Sequence, residues 1–109
     1  MKNTTIWYLN RDVENNKTHR TVTFAGLLTP EQFDQMKAAC FDSDAHFNPQ
    51  QVNLPAERNY DYLDDLDIPW WELDGFEFTN DPPTDARTIQ EFLIEFCSYK
   101  NNWEQEAYN

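Results

Sequence analysis

The stretch Trp71-Glu72-Leu73-Asp74-Gly75-Phe76-Glu77-Phe78 decides how this chain is read. Two short apolar arms flank Asp74-Gly75, a pair that readily takes the positive φ angles of a type I′ turn. The spacing predicts a β-hairpin with the carboxylates of Glu72, Asp74 and Glu77 interleaved among its rings. Immediately upstream, Pro69 precedes Trp70 and Trp71. Adjacent residues of an extended chain point to opposite sides, so one indole can anchor the segment while the other is presented. Before Pro69, Tyr62, Leu63 and Leu66 recur at helical spacing and predict a short helical turn that the proline stops.

Working outward, this hairpin lies within the most acidic part of the chain. From Glu57 to Asp85 there are ten acids and one base, Arg58, giving a net charge of minus 9 out of minus 12. The remaining regions carry plus 2 (residues 1 to 28), minus 3 (29 to 56) and minus 2 (86 to 109), so a polarised molecule is expected. The acids alternate with Tyr60, Tyr62, Leu63, Leu66, Ile68, Trp70, Trp71, Leu73, Phe76 and Phe78. A purely solvated tail would lack such residues, because it buries too little apolar surface to offset the entropy of ordering.

Toward the N-terminus, Thr4 to Val13 and Thr18 to Leu27 are rich in β-branched and aromatic residues and flank the polar turn Glu14-Asn15-Asn16-Lys17. They predict a first hairpin. Thr29-Pro30-Glu31-Gln32 then combines a capping Thr, a Pro at the first helical position and a Gln that can close a capping box. Leu28 and Phe33 are placed to staple the entry. Phe33, Met36, Cys40 and Phe41 form the inward stripe of a helix running to about Asp42. Ser43 to Arg58, with Pro49 and Pro55, reads as an irregular connection. After Asp81-Pro82-Pro83, a cap at Thr84 or Asp85 predicts a second helix with Ile89, Phe92, Leu93, Phe96, Cys97 and Trp103 on one stripe. The expected architecture is a single α+β domain over residues 1 to 109. It comprises an antiparallel sheet of two hairpins with two amphipathic helices packed on one face, in the order ββα-loop-ββα.

A chain of 109 residues buries roughly 60 to 70% of its unfolded surface. Its 17 Trp, Tyr and Phe residues compensate for scarce aliphatics, each burying about 150 to 250 Å² when enclosed. With 20 acids against 8 bases, the chain should repel nucleic acid and anionic lipid and be drawn to basic protein surfaces. Met1 to Leu9 ends at Asn10-Arg11-Asp12 and resembles neither a signal peptide nor a membrane span. A cytoplasmic location is expected. Cys40 and Cys97 fall on the apolar sides of helices and read as buried free thiols.

Several chemistries fail on residue identity. Counting Asp61 as the first position of a calcium loop puts Asp65, Asp67 and Glu72 at ligand positions, but Leu63 offers no oxygen and Leu66 replaces the required Gly. Asp42, Asp44 and His46 could approach one another around a transition metal, yet no second His or Cys completes a four-ligand set. His19, among strand residues, reads as a surface imidazole. Two glycines build no phosphate loop, and Ser43 and Ser98 lie in no nucleophile motif. No catalytic residue, cofactor or metal is therefore expected.

In size, acidity and aromatic-rich α+β patterning, the chain resembles the small inhibitors that phages encode against bacterial defences, including DNA-mimicking anti-CRISPR proteins. The resemblance covers the whole chain in general character and carries no functional residue over. It implies a non-enzymatic inhibitor that blocks the nucleic-acid-binding face of a CRISPR effector in the host cytoplasm. The residues independently suggest a docking region: Asp61, Asp64, Asp65, Asp67, Glu72, Asp74, Glu77 and Asp81 as a row of charges imitating phosphates, with Tyr60, Tyr62, Trp70 and Trp71 as anchors. Two other readings share the composition, an immunity protein or antitoxin neutralising a basic nuclease, and an acidic-aromatic docking module.

Overall fold

A computed structural model of the protein describes residues 2–11, 15–56 and 70–104. The expected helical turn before Pro69 and six of the expected contact residues, Tyr60, Asp61, Tyr62, Asp64, Asp65 and Asp67, lie outside the described residues.

Among the described residues the structure is α+β, with a curled four-stranded antiparallel sheet and two α-helices. Strands β1 (Asn3–Arg11) and β2 (Lys17–Ala25) pair along their full lengths, from Asn3 opposite Ala25 to Arg11 opposite Lys17. Helix α1 (Pro30–Ala39) follows, then the two-residue strand β3 (His46–Phe47), a 3-10 turn (Pro49–Val52), strand β4 (Trp71–Thr79) and helix α2 (Ile89–Ser98). The spatial order is β2-β1-β4-β3, so β1 is central and β4 joins it across a long sequence separation.

The second hairpin does not form. Trp71 to Thr79 is one continuous strand between β1 and β3, and the Asp74-Gly75 pair is a bulge instead of a turn. The register shifts there: Trp7 lies opposite Gly75 and Tyr8 opposite Leu73, leaving Asp74 as the extra residue. A bulge resets side-chain phase. Trp71 and Leu73 face inward before it, and Phe76 and Phe78 share a face with Ile6 and Thr4 after it. A ladder along nearly the whole of β1 outcompetes a two-residue turn with three-residue arms, because each ladder residue adds hydrogen bonds and cross-strand packing. The order is therefore ββα, a short strand and a 3-10 turn, then βα. The expected irregular connection after Ser43 contains β3 and the 3-10 turn.

The helices begin through side chains. Thr29 and Gln32 form a reciprocal capping box at α1, with Gln32 N–H donating to Thr29 Oγ1 at 3.1 Å and Thr29 N–H to Gln32 Oε1 at 3.0 Å. Both Leu28 and Phe33 are buried beside it. At α2 the cap is Thr88, boxed with Glu91, and not Thr84 or Asp85. Those two are engaged elsewhere: Thr23 N–H donates to Thr84 Oγ1 at 2.9 Å, and Thr23 C=O accepts from Thr84 N–H at 2.9 Å. Together with a parallel bridge between Ala25 and Thr88, these bonds occupy the outer edge of β2 at Thr23 and Ala25. Helix α1 stops at Ala39, earlier than expected, because Cys40 takes an extended conformation and turns the chain out. Phe41 consequently leaves the core and is 57% exposed. Trp103 lies beyond α2, yet it is buried, donating its indole N–H to Ala39 C=O at 2.8 Å.

The core is aromatic. Phe24 stacks on Phe92 (4.4 Å between centroids), Phe33 packs on Phe76 (4.8 Å), and Phe47 meets Phe96 (5.2 Å), tying both helices to the sheet face that carries Phe24 and Phe76. Gly26, at φ +103, passes so close to Ile89 that a Cβ would stand 3.0 Å from its Cγ2, so glycine is required where β2 leaves the sheet. No helix of the described residues is long and apolar enough to cross a membrane.

Candidate docking surface

The described part of the expected contact region is built on β4 and its exit. Trp71 and Leu73 alternate with Glu72 and Asp74 because β4 buries one face, and this sets which acids reach water. Glu72, opposite Leu9 and His46, is not free: Arg11 Nε donates to its Oε2 at 2.6 Å. Asp74 is exposed at the bulge, Glu77 is exposed opposite Thr5, and Asp81 is exposed just past the strand. These three carboxylates have no basic partner among the described residues. The exit is held in place by two bonds, Asn3 Nδ2 donating to Asp81 C=O at 2.8 Å and Asp81 N–H to Thr79 Oγ1 at 3.0 Å.

The two adjacent indoles have different environments. Trp71 is fully buried against Tyr8, 5.3 Å between ring centroids, and its Nε1 is a buried donor with no hydrogen-bond partner among the described residues. Trp70 is half-buried and stacks almost parallel on exposed Phe41, 4.6 Å apart at 11°. Sequence reasoning placed Phe41 in the core and did not single out Trp7, which is 38% exposed on the outer face opposite Gly75. The alternation of Trp7 with inward Ile6 and Tyr8 was the available signal for the latter.

Other acids are engaged. Arg87 grips Asp85 with two bonds, Nε to Oδ1 at 2.9 Å and Nη2 to Oδ2 at 2.8 Å, pairs with Glu95 at 3.1 Å and donates to Val52 C=O at 2.8 Å. Its guanidinium also lies 4.9 Å from the Phe92 ring centre. The hydrogen bonds from Arg87 hold the Asp85 carboxyl below its ordinary range, outweighing the opposing effect of burial. Asp42, Asp44 and His46 converge, with their donor atoms within 4.8 Å of one another. Here Asp42 accepts from His46 Nδ1 at 2.8 Å and from the Asp44 and His46 backbone amides. Burial pulls that carboxyl upward, but the His46 hydrogen bonds prevail and its pKa is lowered.

Comparison with protein families, with curated proteins and with solved structures finds no match. Chemistry must therefore be judged from the side chains. Burial pushes the Cys40 thiol up to about 12, with Asp42 adding to the rise, and burial also raises Cys97. Neither thiol is poised as a nucleophile, since the reactive form is the thiolate. A cavity lined by Phe41, Asn101 and Trp103 offers stacking surface and an amide, with no titratable group among the described residues that line it. What the geometry provides is a firmly held strand with exposed carboxylates on it and at its exit that make no ion pair among the described residues.

Proposed function

We propose that the protein is a non-enzymatic acidic binding protein that occupies a basic, nucleic-acid-binding surface of a target protein. Its mode of action would be that of a phage anti-CRISPR-type inhibitor in the host cytoplasm, by DNA mimicry or steric block. The observation that carries this reading is the contrast in charge compensation. Acids beside Arg11, Arg87 and His46 are paired, whereas Asp74, Glu77 and Asp81, gathered on β4 and its exit, are exposed and make no ion pair among the described residues. Uncompensated like charges in one region cost folding stability through repulsion, and a cationic partner recovers that cost on binding. Trp70 on Phe41 supplies an aromatic ledge of the kind that anchors interfaces, while the charges set encounter rate and salt dependence.

The test is capture from a bacterial lysate with the wild-type chain and with the Asp74→Lys/Glu77→Lys/Asp81→Lys variant. Nucleic-acid-binding proteins should be retained by the wild type, released by duplex DNA and by raised salt, and lost with the variant. Retention indifferent to duplex DNA and to charge reversal would refute the reading.

A further inference from the structure

Antiparallel pairing sends the backbone groups of successive residues to alternate sides of a strand. Thr23 directs its N–H and C=O away from β1, toward Thr84, so its partner Thr5 directs its own groups at β4. Glu77, opposite Thr5, therefore bonds toward β1, and the neighbouring Phe76 and Phe78 turn their N–H and C=O to the outside of the sheet. On that outer side β3 ends with Phe47 opposite Trp71, and Ala45 C=O takes the Leu73 N–H at 2.9 Å. From Asp74 to Thr79 the outer edge has no backbone partner among the described residues.

Unprotected edges are templates for another strand, and the side chains here select which one. A second copy of β4 would bring Asp74 and Glu77 against their own kind. An extended segment carrying Lys or Arg would meet exposed carboxylates at Asp74, Glu77 and Asp81 and an apolar contact at Phe78, which is 40% exposed. We propose that the outer edge of β4, Asp74 to Thr79, is a strand-addition site for an extended, lysine- or arginine-bearing segment of the partner. This rests on the acidic docking reading above and specifies how the contact is made: ladder bonds to Phe76 and Phe78, with charge choosing the partner.

The probe is an acetylated, amidated decapeptide of alternating Lys and Val, compared with a twin N-methylated at every residue, which keeps the charge and loses the ladder donors. Followed by amide NMR at low salt, the Lys-Val peptide should shift the Phe76 and Phe78 amides and slow their exchange at least about tenfold, binding about tenfold more tightly than its twin. Phe78→Pro deletes an outward N–H without touching the β1 ladder, and should abolish that preference. Glu77→Lys, an exposed change that leaves the ladder intact, should weaken both peptides. Equal affinity for the two peptides, with Phe76 and Phe78 unmoved, overturns strand addition and leaves acidic docking standing; failure of both to bind overturns the two together.

Discussion

The two sides of the sheet are finished differently. The outer edge of β2 is occupied at its end, at Thr23 and Ala25, by the chain itself, through Thr84, Asp85 and Thr88, and Arg87 fastens that segment to Val52 and Glu95. Among the described residues, the outer edge of β4 is closed only as far as Leu73, and beyond it stand Asp74 and Glu77. Both devices keep an edge from pairing indiscriminately, one by occupation and one by charge. Occupation adds stability but leaves nothing to bind, whereas charge leaves the backbone available to a chosen partner.

The comparison is broken most forcefully at Arg87. Arg87→Met leaves Asp85 and Glu95 without their cation and removes a bond to Val52, and should cost about 2 to 3 kcal/mol in denaturant unfolding. The same pair has a pH signature. Because the folded Asp85 carboxyl is held below the unfolded value of about 3.9, its contribution is complete above that pH and is lost as pH falls through the lowered folded pKa. Urea titrations from pH 7 to 2 should show this component in the wild type and its absence in Arg87→Met. A smaller effect is expected from Thr84→Val, which deprives the Thr23 amide of its acceptor: about 1 kcal/mol by thermal or chemical melting. At the other edge, Glu77→Lys should change stability by no more than about 0.5 kcal/mol, since the side chain is exposed. A large loss there would show that the open edge contributes to folding and would dissolve the distinction.

How much of this was legible depends on the range of the interaction. The α1 capping box spans Thr29 to Gln32 and was readable as spelled. The Thr88 and Glu91 box was equally present in the sequence, but Pro82-Pro83 drew the expected start upstream, where Thr84 is committed to β2 instead. The spacing of Trp71, Leu73, Phe76 and Phe78 fits a hairpin and a bulged strand alike; only pairing with β1, some 70 residues earlier, separates them. The same limit applies to the docking surface. Acidity was visible by composition, but the neutralisation of Glu72 by Arg11 and the burial of Trp71 beside a half-buried Trp70 are products of tertiary placement. Phe41 was misplaced because helical periodicity gives no notice of where a helix stops.

The bulged strand has one more consequence. The carboxylates that would invite a cationic partner also keep copies of the protein apart. Were Asp74 and Glu77 replaced by Asn and Gln, the outward amides of Phe76 and Phe78 would lose that guard, and a route from dispersed protein to cross-β fibre would open at β4.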